Sequence, residues 1–405
     1  MDKKVFTRDF AGRTLSVEIG ELAQQANGSV LLHFGDSTVL ATAVLDPHTK
    51  EHCDYLPLSV EYEEKLYAAG KIKGSRFMKR EGKAGEGAVL KGRMIDRTLR
   101  PRFNQKIRND IQVVVTVLSY DRKNDTDVLG IVAASLALAV SDIPWDGPVA
   151  GVRVGRNNGQ IIINPTFEER AESDLEIVVA GTAQKINMME AGAKELSDED
   201  MLAAIAQGQK AYGELIAFQQ EIIDELKPQK KQLDIKEMPA NLENKLNKFL
   251  EDKLEEAIFV KEKHTRQNRL GKLQNDLFDF IKANETEDVE DKILLAGLLY
   301  EEKIDEMVHE NVLSKNRRPD GRKLDEVREL SCRTGVLART HGSALFNRGN
   351  TQALSTVTLG SPGEKQTIDG LEEEYEKRFI HHYNFPPFSV GETGRLGGPG
   401  RREIG

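Results

Sequence analysis

The chain has 405 residues, 39% of them hydrophobic and 30% charged, with a formal net charge of −9. That length accommodates two or three domains, and the excess of acid excludes a surface coated uniformly in nucleic acid while leaving room for a local basic channel. No apolar run approaches the roughly 20 residues of a membrane-spanning helix, and the start MDKKVFTRDF lacks an apolar export core, so a cytoplasmic protein with no membrane partner is expected; the widely separated Cys53 and Cys332 fit a reducing compartment and form no metal-ligand cluster.

In chain order, Val5–Phe10 and Thr14–Ile19 alternate around Ala11-Gly12-Arg13 and predict a hairpin. Val30–Phe34 and Val39–Leu45 predict a second. Ser59–Lys65 alternates as a strand with one polar face, and residues 70–83 form a Gly-flanked loop. A helix is expected from about Glu86 to Leu99, stopped by Pro101. Ile111–Leu118 is a continuous apolar run, read as a buried strand. Val128–Ser141 reads as a small-residue helix capped by Asp127. Val149–Val154, Ile161–Ile163 and Leu175–Ala180 follow as strands. Ser197 opens an acid-rich first turn, and that helix runs to about Leu226. Residues 1–227 therefore read as an α+β domain.

From Pro228 to about Ser314 strand signals vanish. Apolar residues recur at helical spacing, and three or four helices are expected over residues 228–314. Their dense alternating charges suit a solvated face, with an acidic binding surface as the alternative. Residues 315–405 return to strand and turn patterns. Gly342-Ser343-Ala344-Leu345-Phe346 and Gln352-Ala353-Leu354-Ser355-Thr356 flank Asn347-Arg348-Gly349-Asn350, a hairpin.

That hairpin repeats the one near the N-terminus. Residues 28–42 lie on residues 342–356 without a gap, with Gly28/Gly342, Ser29/Ser343, Leu31/Leu345, Leu40/Leu354 and Thr42/Thr356 identical. Tyr55–Val60 is echoed loosely by Asn384–Val390, and Lys79-Arg80-Glu81 falls where Arg401-Arg402-Glu403 falls. A spacing this long is not that of a solenoid, so the chain carries two copies of one domain, the second extending over 315–405.

The chemistry starts from charge. From Glu64 to Arg108 there are fourteen Lys and Arg against four acids. Such a concentration in an acidic protein implies a polyanionic partner. Arg76-Phe77-Met78-Lys79-Arg80 places a stacking ring among phosphate-binding cations, which suits single-stranded nucleic acid; a solvated loop with Phe77 tucked inward is the alternative. Arg93, Arg97 and Arg100 share one helix face, as a phosphate track or as partners for the protein's own acids. Arg401-Arg402 ends the Gly-rich loop GRLGGPG, where backbone amides and guanidinium forks approach phosphate closely. His381-His382 on adjacent extended positions point to opposite faces and read as structural. The sequence shows no HExxH, Walker loop or nucleophile–histidine constellation.

RRPDGRKLDEVREL, RTHGSALFNRGNTQAL, HYNFPPFSVGETGR and PGRREIG closely resemble the second ribonuclease-PH-like core of the polynucleotide phosphorylase family. SRFMKREGKAGEGAVLKGRMIDRTLRPRF resembles the first core's RNA-facing loop and helix. The resemblance covers the whole chain. It implies a duplicated ribonuclease-PH-like α+β fold joined by an all-helical domain. It also implies phosphorolysis of single-stranded RNA from the 3′ end, with release of nucleoside diphosphates, in a homotrimeric ring that joins other RNA-degradation proteins. The loop carrying Phe77, Lys79 and Arg80 would form a channel constriction, although the family has a second aromatic and a second arginine where this chain has Met78 and Lys79. Arg401 and Arg402 would hold inorganic phosphate and the RNA 3′ end. Arg97, Arg100 and Arg322 would handle RNA or phosphate, and Arg93 joins them only through the shared helix face.

The resemblance places the family's phosphate-binding serines and Mg2+-binding aspartates beyond residue 405. The chain is therefore expected to be a fragment, without phosphorolysis of its own in magnesium. A non-catalytic RNA-binding or ring-scaffold protein, or a phosphate-independent nuclease, are the alternatives; the latter would release monophosphates.

Overall fold

The computed structural model describes residues 3–50, 53–72, 79–372 and 374–405. In chain order it runs β1 (Lys4–Phe10), β2 (Arg13–Ile19), β3 (Gly28–Phe34), β4 (Ser37–Thr49), β5 (Leu58–Glu64), α1 (Glu86–Leu99), β6 (Asn109–Ser119), α2 (Thr126–Val140), β7 (Ala150–Asn157), β8 (Gln160–Ile163), α3 (Phe167–Glu172), β9 (Leu175–Gly181), β10 (Ile186–Ala193) and α4 (Asp198–Leu226). Then come α5 (Ala240–Leu250), α6 (Lys253–Ile258), α7 (Lys263–Asn284), α8 (Val289–Lys315), β11 (Leu330–Thr334), β12 (Gly342–Arg348), β13 (Thr351–Val357), β14 (Gln366–Asp369), β15 (Glu374–Lys377) and α9 (Arg401–Ile404). The α+β class read from the pattern is the observed one, and two compact units divide the chain: Met1–Ile235 with Lys365–Gly405, and Lys236–Glu364.

In the first unit the strands order as β1-β2-β3-β4-β6-β5, and a second sheet as β10-β9-β7-β8. The first is antiparallel until β5, which pairs with β6 in parallel and needs the crossover that α1 supplies. Val30, Leu32 and Phe34 alternate inward with Ser29, Leu31 and His33, which is why one face of β3 is buried. Helix α2 packs on β3 and β4 and also on β7, so it lies between the sheets. Its small apolar residues permit that closeness: a Cβ on Gly28 would come 2.1 Å from the Ala137 carbonyl oxygen.

One local expectation is corrected, and two elements that no sequence pattern marked are present. The cap of α2 is Asp125, whose carboxylate accepts from the Asp127 amide, while Asp127 lies inside the first turn and reaches Arg153. The sequence reading passed over α3, which is six residues closed by a Thr166–Glu169 capping box, too short to show periodicity. It also passed over β10, where only Met188 is buried, so no apolar alternation marks it.

In the second unit, α5 to α8 are the expected helices, packed around Leu246, Leu277, Ile281 and Ala296. Strands β11, β12 and β13 form a separate three-stranded sheet. Among the described residues no helix is long and apolar enough to cross a membrane.

Candidate functional site

Strand β5 is an edge strand, with β6 on one side only, so its other edge presents unpaired carbonyls. Arginines cover them. Arg100 donates through Nη1 to the Leu56 carbonyl at 3.3 Å and through Nη2 to that of Leu58 at 2.9 Å, while its Nε reaches Asp96 at 3.0 Å. One step further along, Arg401 Nη2 donates to the Val60 carbonyl at 3.2 Å and pairs with the Glu61 carboxylate. The same Glu61 oxygen accepts from Ser59 Oγ at 3.0 Å. Ser59 and Glu61 share the outer face of β5 because strand residues alternate, while Val60 and Tyr62 are buried. On α1, Arg93 Nη1 donates to the Arg401 carbonyl at 2.6 Å.

The Gly-rich loop is closed by its own acid. Glu403 accepts from the amides of Gly400 at 2.8 Å and Phe385 at 2.9 Å, and these two amides hold its pKa below the usual carboxylate value. Its partner in the repeat acts alike: Glu81 accepts from the Leu66 amide at 2.6 Å. Both acids cap backbone, and Lys65 also lies 3.8 Å from Glu81. Arg402 lies with its Cζ 3.8 Å from the Phe385 ring centroid and is exposed. Among the described residues no carboxylate is within ion-pair distance of it.

A cleft of 530 Å³ opens between residues 81–88, β5, α1 and the hairpin β14–β15. Leu371 plugs into the core there. Lys91 lies half-buried between Glu64 at 2.8 Å and Glu372 at 2.5 Å, with its Nζ 5.5 Å from the Tyr62 centroid. Burial opposes its charge, but Tyr62, Glu372 and Glu64 outweigh burial and hold its pKa well above the usual lysine value. Lys71 donates to the Gly370 carbonyl at 3.2 Å. Much of the basic run is thus occupied inside the protein.

A buried charge cluster escaped sequence reading. Arg153, 7% exposed, binds Asp125 at 2.7 Å, Asp127 at 2.5 Å and Glu176 at 2.5 Å, and Arg170 bridges Asp125 and Glu176. Burial raises both aspartates; Arg153 overcomes this at Asp125 and pulls it down, while burial and the Asp125 charge push Asp127 up to about 7. The only sequence signal was an arginine inside an apolar strand together with two acids flanking Thr126.

The expected site residues separate as follows. Arg76 and Phe77, with Met78, lie outside the described residues. Lys79 and Arg80 are exposed. Arg93 meets the Arg401 loop, Arg97 pairs with Glu190 at 2.8 Å, and Arg100 braces β5. Arg322, in the second unit, pairs with Asp320 at 2.7 Å and donates to the Glu326 carbonyl at 3.0 Å. The helix face 93–97–100 is therefore engaged by the protein's own groups.

Comparison with known proteins gives three family matches. The model of the 3′ exoribonuclease family, domain 1, matches residues 11–144 and 326–405, and that of domain 2 matches residues 147–211. The polyribonucleotide nucleotidyltransferase RNA-binding domain matches residues 241–323. The polyribonucleotide nucleotidyltransferase of Bacillus subtilis (strain 168) is 48% identical over 404 residues, which is 100% of this chain and 57% of that protein. One from Bacillus cereus is 47% identical over 404 residues, 100% of this chain and 56% of its own. The chain thus spans little more than half the length of these curated relatives. Rice (Oryza sativa) Rrp46 covers 53% of this chain and 98% of its own at 17% identity, with a TM-score of 0.44.

Proposed function

The chain belongs to the 3′ exoribonuclease family, and on that premise we propose that it supplies the RNA-gripping and phosphate-holding parts of a phosphorolytic, 3′-to-5′ exoribonuclease acting on single-stranded RNA. The observation that carries this is the Arg401–Arg402 loop: one guanidinium is tied to Glu61 and Val60, and the next is exposed on an aromatic ring with no carboxylate partner among the described residues. A guanidinium fork in that setting matches a phosphate dianion in shape and charge.

In the reaction proposed, an oxygen of inorganic phosphate bonds to the phosphorus of the last phosphodiester. The bond from that phosphorus to the preceding 3′-oxygen breaks, that oxygen takes up a proton, and a nucleoside diphosphate leaves. Two polyanions must meet for this, and fixed positive charge offsets their repulsion. Arg402 offers that charge, Arg93 and Arg401 hold the loop, and the exposed Lys79 and Arg80 grip the RNA backbone independently of base identity. A homotrimeric ring around a central channel, association with other RNA-degradation proteins and a cytoplasmic site of action belong to the same reading. So does the domain plan of a first core over 1–227, a helical domain over 228–314 and a second core from 315.

Magnesium is implied by the resemblance, and the described carboxylates near the basic loops do not suit it. Glu81 and Glu403 accept backbone amides, and Asp125, Asp127 and Glu176 are held by arginines. The test is product identity, using a protein of the relatives' length that carries these residues. Release of nucleoside diphosphates that depends on added phosphate supports the proposal; monophosphates released without phosphate would refute it.

A further inference from the structure

Arg401 and Arg402 are adjacent, yet their surroundings differ. Arg401 is clamped: its guanidinium sits on the Val60 carbonyl and the Glu61 carboxylate, and its own carbonyl accepts from Arg93 at 2.6 Å. Glu61 is itself oriented by Ser59 Oγ at 3.0 Å. Among the described residues Arg402 meets no such clamp, and it lies over Phe385, whose amide is held by Glu403. The turn from Gly400 to Glu403 is thus fastened at Arg401 and Glu403, and Arg402 is the side chain left between the two fastenings. Arg100 shows that this clamp is a repeated device, since it too joins an edge carbonyl of β5 to a carboxylate.

We infer that Glu61 is a positioning residue that docks the Arg401 end of the loop on β5, so that Arg402 is presented to phosphate in one orientation. This rests on the phosphate-holding role proposed above for the loop. Glu61 neutralises Arg401 and leaves the net positive charge at Arg402. A carboxylate is required because only an ionised acceptor matches the guanidinium in both charge and hydrogen bonding. Glu61 is 42% exposed as a side chain, so replacing it removes the clamp without opening the core.

The test measures phosphorolysis of a single-stranded RNA against inorganic phosphate concentration, in a protein of the relatives' length. Glu61→Gln, Glu61→Asp, Arg401→Lys and the Glu61→Gln/Arg401→Lys double variant are compared, with RNA affinity in the absence of phosphate and thermal unfolding read in parallel. Glu61→Gln should raise the apparent KM for phosphate about 3- to 10-fold, as expected for loss of a charge-assisted hydrogen bond. RNA affinity and the unfolding midpoint should stay at wild type. Glu61→Asp should recover part of the effect, and the double variant should be no worse than the poorer single one, because both break one clamp. Wild-type phosphate dependence in Glu61→Gln, or full additivity in the double variant, would overturn the inference. Arg402→Ala separates the two claims: unchanged phosphate dependence there sinks the role of the loop itself, whereas a raised KM there beside an unaffected Glu61→Gln sinks only the role of Glu61.

Discussion

Arginine does three different jobs in this chain, set by where it sits. Arg153 is buried and satisfies three carboxylates, Arg100 braces an edge strand, and Arg402 lies exposed on a ring. Sequence showed the concentration of charge and could not apportion it, because spacing on a helix says which residues share a face and not what they meet. Arg93, Arg97 and Arg100 do share a face and meet a carbonyl, Glu190 and Asp96 respectively. Removing one partner of a buried pair is far worse than never having had it, so Arg153→Met should cost about 3–5 kcal/mol in urea unfolding. The acids respond to pH in a stated direction. Asp127 has a folded pKa raised from 3.8 to about 7, so the folded state holds its proton more tightly, and stability should fall as pH rises from about 4 to about 7. Asp127→Asn, which keeps the shape and an acceptor oxygen for Arg153, should flatten that slope; an unchanged slope in the variant would assign it elsewhere.

At the scale of elements, the internal repeat was legible and its geometry agrees. The first hairpin pairs Gly28 with Ala43, Leu31 with Leu40 and Phe34 with Ser37. The second pairs the corresponding residues, Gly342 with Val357, Leu345 with Leu354 and Arg348 with Thr351. Gly35 and Gly349 take the left-handed turn position in both, with φ of 62° and 58°. The hairpins differ in what covers them. α2 presses on Gly28, whereas a Cβ on Gly342 would meet only Val357, at 3.6 Å. Gly28→Ala should therefore destabilise its unit by about 1–3 kcal/mol through overpacking, and Gly342→Ala should stay within about 0.5 kcal/mol. Chemical denaturation of the two variants checks this. The looser echo further on did not carry over to structure. Residues 58–64 form a strand paired with β6, while Pro387–Val390 is a 3-10 turn. Pro386 and Pro387 lack the amide donors that a strand needs.

For the molecule as a whole, motif and order identified the family. Two observations came only from the fold: the clamp of Arg401 on β5, and the engagement of most of the helix-borne cations by the protein's own groups. The first depends on a contact between residues more than 300 positions apart, Arg401 and Glu61, and the second mixes such a contact, Arg93 to Arg401, with nearer ones from Arg97 to Glu190 and Arg100 to Asp96; helical spacing alone does not say which partner each cation meets. They bear on the proposed division between the basic pairs, Lys79-Arg80 for RNA and Arg402 for phosphate. The most direct measurement is phosphorolysis rate against phosphate concentration for Arg402→Lys at the relatives' full length, beside RNA affinity without phosphate. Lysine keeps the charge and loses the fork, so the apparent KM for phosphate should rise and turnover should fall by about 10- to 1,000-fold, with RNA affinity little changed. Wild-type phosphate dependence together with lost RNA affinity would contradict the account and reverse the two roles.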